Sequence, residues 1–317
     1  MLPHFHIFGI HVPSFSLMLF LGVVAFFGIL IISHRSLCKA DRITFNRFLF
    51  VTCLSVIALA LFAFLFNSLF HSIASKRLVF GGITWLGGVI GAIPVFLILS
   101  HFMIPKKRGY EIELFSSLIP GIALAHAFGR VGCFLGGCCY GRVSDSPLSV
   151  VYPAGSLAAR QYPSPDGKGS LPVLPTPIFE AAFELLLFAL FILLPKRAKK
   201  YSLSLYSICY GSFRFAAEFA RGDMRGSVGG FISPSQLLSV LLIIFGVLLL
   251  LEQKGIIFKG FHSKRMALQA TSDAMPITHL YENSDALLLR ELHSLLEEGV
   301  ITEQEYEEKK KEILDRM

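Results

Sequence analysis

Seven runs of roughly twenty mostly apolar residues dominate this chain, and no other feature restricts its fold as much. A helix rises ~1.5 Å per residue, so about 20 residues are needed to cross ~30 Å of hydrocarbon. Runs of that length lie near residues 13–33, 48–70, 83–104, 112–135, 176–195, 201–220 and 231–251. Of the 317 residues 54% are hydrophobic and only 16% charged, whereas soluble domains carry about 25% charged residues. Abundant phenylalanine and a single tryptophan, Trp85, suit lipid-facing helices better than a water-exposed surface. The expected fold is an all-α integral membrane protein of about seven transmembrane helices. The opening stretch MLPHFHIFGIHVPSFSLM has no Lys or Arg ahead of its apolar part and no small-x-small cleavage signal. The first run therefore reads as a retained span.

The net charge of +7 could suggest nucleic acid, but the basic residues cluster between apolar runs, where they set membrane topology instead. One set of loops holds Arg35, Lys39, Arg42 and Arg47, then Lys106, Lys107 and Arg108, then Lys196, Arg197, Lys199 and Lys200. Lys254, Lys259, Lys264 and Arg265 follow the last run. The other set has Lys76, Arg77, Arg142, Arg160, Lys168, Arg221 and Arg225, fewer and over a longer stretch. The positive-inside rule then places the N-terminus outside and the C-terminus in the cytoplasm, and an odd number of spans agrees.

The longest connection between runs, 136–175, is rich in Gly, Pro and Ser (PAGS, YPSPDGKGS, LPVLPTP). Prolines remove backbone donors, so this stretch does not cross the bilayer as a helix. It is expected on the outer, periplasmic face as a small head. Residues 253–280 read as a polar linker, and 281–317 as two short amphipathic helices in the cytoplasm, broken at Gly299. Thr302 followed by Glu305 has the pattern of a capping box for the second of these. The tail resembles the short C-terminal domain called SHOCT through LHSLLEEGVITEQEYEEKKKEIL. Oligomerisation, docking of a protein partner and an inert appendage are all compatible with it.

Charged residues inside the apolar runs are costly. An Arg at the bilayer centre costs ~2.5–3.5 kcal/mol on insertion scales, and such residues commonly face a cavity and serve a function. Arg130 lies near the end of the fourth run and Arg214 well inside the sixth. Glu218 and Arg221 follow Arg214 at i+4 and i+7 on one helix face, and Glu180 and Glu184 form an i,i+4 pair in the fifth run. The acids either neutralise the arginines to hold helices together or help to build a site. Around Arg130 runs HAFGRVGCFLGGCCYGR, residues 126–142. Glycines in a span often serve packing. Glycine-rich backbone beside a guanidinium also suits a lipid phosphate, since Arg presents a planar fork of donors and free N–H groups supply the rest.

GRVGCFLGGCCYGR, residues 129–142, is similar to the G-R-x-G-N-F-x-N-x-E-x-x-G-R signature of the prolipoprotein diacylglyceryl transferases. YGSFRFAAEFAR, residues 210–221, resembles that family's Y-G-x-x-R-x-x-x-E-x-x-R segment. GGITWLGGVIGA (81–92) and SPSQLLSVLLIIFGV (233–247) resemble two further blocks, so that the likeness runs over residues ~10–252. The resemblance implies a bacterial inner-membrane enzyme with a membrane domain over residues 1–252. Such enzymes move diacylglyceryl from phosphatidylglycerol to the thiol of a prolipoprotein's lipobox cysteine, releasing glycerol phosphate. It implies Arg130 and Arg214 as the groups that hold lipid phosphate and stabilise charge on the leaving group. Gly129, Gly132, Gly141 and Arg142 match as further substrate-binding positions, and Tyr210, Glu218 and Arg221 as supporting ones. Neither a metal nor a redox cofactor is implied. This chain departs from the family at Cys133 in place of Asn, Cys138 in place of Glu, and Leu86 where many members carry His. Leu174 and Pro177 likewise replace the His and Gln of H-P-x-Q-x-x-E.

His126, Arg130 and Cys133 fall at i, i+4 and i+7. His126 is thus a candidate general base in place of the missing His, and Cys133 a candidate nucleophile whose thiolate a nearby Arg would favour. Cys133 could equally be a small apolar residue packed among glycines. The spacing C-x4-C-C of Cys133, Cys138 and Cys139 matches no standard zinc pattern, and adjacent cysteines rarely chelate one ion with good geometry. A disulfide on an oxidising outer face is a further reading. The favoured function is the transferase. A non-catalytic relative that binds anionic phospholipid as a scaffold, and a membrane thiol-redox protein built on the cysteines, are the alternatives.

Overall fold

The computed structural model describes residues 4–7, 10–35, 42–75, 77, 85–104, 110–222, 233–257 and 302–314. The chain divides into two compact units, Met1–Ile257 and Phe258–Met317. The first opens with an antiparallel pair, β1 (His4–Ile7) and β2 (Ile10–Pro13), in the register Phe5↔Val12 and Ile7↔Ile10. This hairpin is a small addition to the helical architecture, which continues with α1 (Ser14–Ser33), α2 (Arg42–Ser75), α3 (Trp85–Met103) and α4 (Tyr110–Leu135). Next come the short α5 (Leu157–Gln161), then α6 (Thr176–Leu193), α7 (Ser202–Ala217) and α8 (Pro234–Gln253).

A helix occupies each of the seven apolar runs. Among the described residues, five helices are long and apolar enough to cross a membrane: α1, Arg42–Leu69 of α2, Glu111–Leu135 of α4, α6, and Ser235–Gln253 of α8. α3 holds the shorter apolar stretch Gly91–Met103. α7 differs most from expectation. Its 16 residues rise only about 24 Å; a 3₁₀ turn at Lys196–Tyr201 precedes it, and the run expected over 201–220 ends in another at Glu218–Ala220. The basic cluster before it and the Arg/Glu pairs at its end explain why the apolar stretch is short.

Lipid tails are as apolar as leucine, so helices inside a bilayer associate mainly through close packing and buried polar contacts. α1 packs on α4, α2 on α3, α4 on α6 and α7 on α8. Small residues sit where backbones approach. A Cβ on Gly246 of α8 would lie 2.8 Å from the Ser204 carbonyl oxygen of α7 and 2.9 Å from the Ser207 Cβ. One buried cluster joins Phe26 and Leu30 of α1, Phe48 and Val51 of α2, Phe96 of α3, and Leu114 and Leu118 of α4. A second joins Ile119 and Ala123 of α4 to Leu187 and Phe191 of α6, flanked by Tyr206 and Tyr210 of α7. α4 is common to both. The outward faces carry exposed Phe20, Leu61, Phe102, Leu186 and Leu241, the pattern of helices that meet lipid.

Residues 136–175 form an ordered head. Its core is Tyr140, Tyr152, Ala158 and Val173. Isolated bridges pair Val143 and Val150 with Val173, and Pro153 with Gly169. Ser156 caps α5 by accepting from the Ala159 N–H, and the Tyr140 hydroxyl donates to Gln161 Oε1 at 2.6 Å.

In the second unit, α9 (Glu303–Leu314) begins with the expected capping box: Thr302 N–H donates to Glu305 Oε2 at 2.9 Å, and Glu305 N–H to Thr302 Oγ1 at 3.4 Å. The first tail helix with its break at Gly299, the linker from residue 258, Lys106 to Arg108 and Arg225 lie outside the described residues.

Gly246→Val should force α7 and α8 apart and lower the melting temperature of the detergent-purified protein, at a cost of about 1–3 kcal/mol. Gly28→Val, where an added Cβ meets nothing within 4 Å, should leave it unchanged.

Candidate active site

Three helices contribute to one polar network. α4 supplies His126 and Arg130 one turn apart, α6 supplies Glu180 and Glu184, and α7 supplies Tyr206, Tyr210 and Arg214 at four-residue spacing. Each set faces inward because i and i+4 residues share a helix face. Glu184 is fully buried and Glu180 is 2% exposed. A buried carboxylate costs several kcal/mol unless it is paired, and both are paired. Arg130 Nη2 lies 3.0 Å from Glu180 Oε1, which also accepts from the Tyr210 hydroxyl at 2.9 Å. Glu184 Oε1 lies 2.7 Å from His126 Nδ1 and accepts from the Tyr206 hydroxyl at 3.1 Å.

The network also assigns the His126 tautomer. Arg130 Nε can only donate, and it reaches His126 Nε2 at 3.2 Å. The imidazole proton therefore sits on Nδ1, facing Glu184, and Nε2 carries the lone pair. The His126 ring meets Tyr210 edge-on at 5.2 Å, and Tyr210 stacks on Tyr206 at 5.5 Å. The result is a carboxylate–histidine pair oriented from behind, with a guanidinium covering the basic nitrogen.

Arg214 sits at the end of α7. Its Nη2 lies 2.7 Å from Glu218 Oε2 and 2.9 Å from Ser235 Oγ at the start of α8. Its Nη1 is buried and has no protein acceptor among the described residues. Tyr210 donates to the same Glu180 carboxylate that Arg130 meets, and Arg214 follows Tyr210 by one turn of α7 on the same face, so the two guanidinium groups flank one region. Arg221 Nε approaches Glu218 Oε2 at 3.8 Å, and its backbone bridges to Gly141.

The signature glycines have different surroundings. Gly132 faces Phe15 and Met18 of α1, and Gly141 is enclosed by Leu174 and the Ala220 carbonyl, so both serve close backbone approach. Only Gly129 faces open space. Arg142 is exposed, and its N–H donates to the Ala220 carbonyl at 2.9 Å. Cys133 does not join His126 and Arg130 in a hydrogen-bonded row. Its sulfur gathers with those of Cys138 and Cys139, all within 4.8 Å of one another. Hydrogen bonds from Cys133 and then Cys138 hold the Cys139 thiol below its ordinary range, with Arg221 and Arg130 adding to the effect against burial. Pro177 is fully buried, whereas the side chain of Leu86 lies outside the described residues.

Tyr206 is the site residue that motif reading passes over. The ladder Tyr206, Tyr210, Arg214, Glu218 at four-residue steps carries the signal for it. Ser235, inside the SPSQLL block, is the second, and only tertiary structure brings it to Arg214.

A family profile for prolipoprotein diacylglyceryl transferase matches residues 3–252, and one for the short C-terminal domain matches residues 288–314. A phosphatidylglycerol–prolipoprotein diacylglyceryl transferase 2 of Clostridium perfringens is 37% identical over 183 residues, 57% of this chain and 64% of that protein. A phosphatidylglycerol–prolipoprotein diacylglyceryl transferase of Clostridium tetani is 34% identical over 169 residues, 52% and 62% respectively. These alignments span less than two thirds of either relative. A protein of the same description from Finegoldia magna is 27% identical over 267 residues, 81% of this chain and 97% of its own. With a match across residues 3–252, the chain belongs to the prolipoprotein diacylglyceryl transferase family.

Proposed function

We propose that this chain transfers the diacylglyceryl group of phosphatidylglycerol to the lipobox cysteine thiol of a prolipoprotein. The observation that carries the reading is the pair of guanidinium groups that flank Tyr210 and Glu180, with Arg214 Nη1 lacking a protein acceptor among the described residues. The described network is charge-balanced: Arg130, Arg214 and Arg221 against Glu180, Glu184 and Glu218, with His126 neutral. An arriving phosphodiester adds one negative charge to that balance, beside two guanidinium groups.

The chemistry follows from that balance. The lipid phosphate takes Arg130 away from His126 Nε2 and accepts from Nη1 of Arg214. His126, held through Nδ1 by Glu184, then accepts the proton of the incoming thiol. The thiolate attacks the glyceryl carbon, a C–S bond forms, the C–O bond to phosphate breaks, and glycerol phosphate leaves with its charge held by the arginines. The apolar faces of the helices would hold the acyl chains. The seven helices are read as seven spans of the inner membrane, N-terminus outside, with the head on the outer face where a translocated prolipoprotein arrives. The membrane domain is taken as 1–252, the linker as 253–280, and the tail as 281–317, docking a partner or a second copy.

A second reading, phospholipid binding without turnover, is favoured by the buried Pro177 and by Leu174 at positions where the family carries polar side chains. Detergent-purified protein supplied with phosphatidylglycerol and a lipobox-cysteine peptide separates the two. The transferase reading expects a diacylglyceryl-peptide by mass spectrometry; bound phosphatidylglycerol without that product would overturn it. Arg130→Lys keeps the charge for Glu180 but loses the planar fork. It should fold and yet reduce turnover by about 10²–10³-fold. His126→Ala should slow product formation by about 10²-fold or more while phosphatidylglycerol binding, followed by co-purified lipid, stays. An unchanged rate would remove His126 from its role.

A further inference from the structure

The three clustered thiols belong to no step of the reaction above, and the backbone around them is built to bring them together. α4 ends in a Schellman motif. Gly137 adopts φ +70°, Cys138 N–H donates to the Cys133 carbonyl at 3.0 Å, and Gly137 N–H donates to the Phe134 carbonyl at 3.2 Å. In this motif the second residue past the helix cap folds back onto the third from its end, and those two positions are Cys138 and Cys133. The spacing C-x4-C is therefore a convergent one at this helix end. Cys139 follows at φ +61°, a left-handed conformation uncommon for a residue with a side chain. Successive side chains of an extended strand point apart; here the reversal at Cys139 turns its sulfur to the same point. Thr176 holds that conformation by donating to the Cys139 carbonyl at 2.7 Å.

The adjacency of Cys138 and Cys139, which counts against chelation in the sequence, is thus overcome by one left-handed residue. All three sulfurs lie within 4.8 Å of one another. Three sulfurs on one zinc-like ion at ~2.3 Å in tetrahedral geometry would stand about 3.8 Å apart, a closure that side-chain rotation supplies.

We propose that Cys133, Cys138 and Cys139 form a three-thiolate site for one soft d10 cation of the zinc, cadmium or copper(I) class. Thiolates are the soft ligands that select such ions. No further His, Cys, Asp or Glu joins the group among the described residues. Loading releases up to three thiol protons to solvent, with no change of oxidation state.

Cadmium is a suitable probe because its thiolate complexes absorb in the ultraviolet. The full-length protein, reduced and desalted without oxygen in detergent, should bind one equivalent of cadmium. A saturating charge-transfer band should appear while the titratable thiol count falls by three. Cys138→Ser should weaken binding at least tenfold, the triple serine variant should lose the band, and Cys53→Ser and Cys209→Ser should keep it. Thermal melts of the variants distinguish lost binding from lost folding, and Cys138→Ser, altering one half-buried thiol, suffices if the triple variant fails to fold. An absent or unsaturable band, or one unchanged by Cys138→Ser, would overturn the site. So would a Cys133–Cys138 disulfide found by peptide mapping of protein isolated without reductant and resistant to mild reduction. Because the readout is spectroscopic, it stands or falls independently of transferase turnover.

Discussion

Two carboxylates with almost no solvent contact, Glu180 and Glu184, decide how the membrane unit is put together. Each would cost several kcal/mol to bury alone. Each meets a cation or imidazole from α4 and a phenol from α7. Apolar helix faces can slide past one another at small cost, whereas paired charges cannot. The register of α4, α6 and α7 is therefore set by these contacts, and the apolar cluster around Ile119, Leu187 and Phe191 packs within the frame they define. The same contacts orient His126, so what stabilises the helix trio also positions the imidazole proposed as the base.

Much of this was legible from residue spacing. The positions of all seven helices follow from apolar run length, and the Thr302–Glu305 cap from a four-residue pattern. The partnership of Arg214 with Glu218 follows from i+4 geometry on one helix. Less legible were contacts between helices. Glu180 and Glu184 appear in the sequence only as a pair in an apolar run. That one would meet Arg130 and the other His126 depends on the packing of α6 against α4. The short extent of α7 was also hidden, because hydropathy averages over 3₁₀ turns and helix alike. The grouping of Cys133 with His126 on one face was half right: the helix places them in line, but the turn after Leu135 claims the sulfur.

The glycine-rich signature serves several purposes within a few residues. Gly132 lets α1 approach, Gly137 ends the helix, and Gly141 lets the head settle against Leu174 and Ala220. A run of glycines read as one feature is in fact a helix contact, a cap and a strand-like seam in succession. Of these glycines, only Gly129 looks onto open space.

The head is not a free appendage. Gly141 and Arg142 pair with the chain at Ala220 and Arg221, and the side chains of Gln161 and Tyr162 both donate to the Gly222 carbonyl. Arg221 leads in turn to Glu218, and Glu218 to Arg214. The head and the deeper guanidinium are thus linked by an unbroken series of short contacts. A polypeptide that displaced the head on docking would pull on the end of α7 and, through it, on Arg214, the residue proposed to hold the lipid phosphate. On the proposed function, arrival of one substrate would then be felt at the seat of the other.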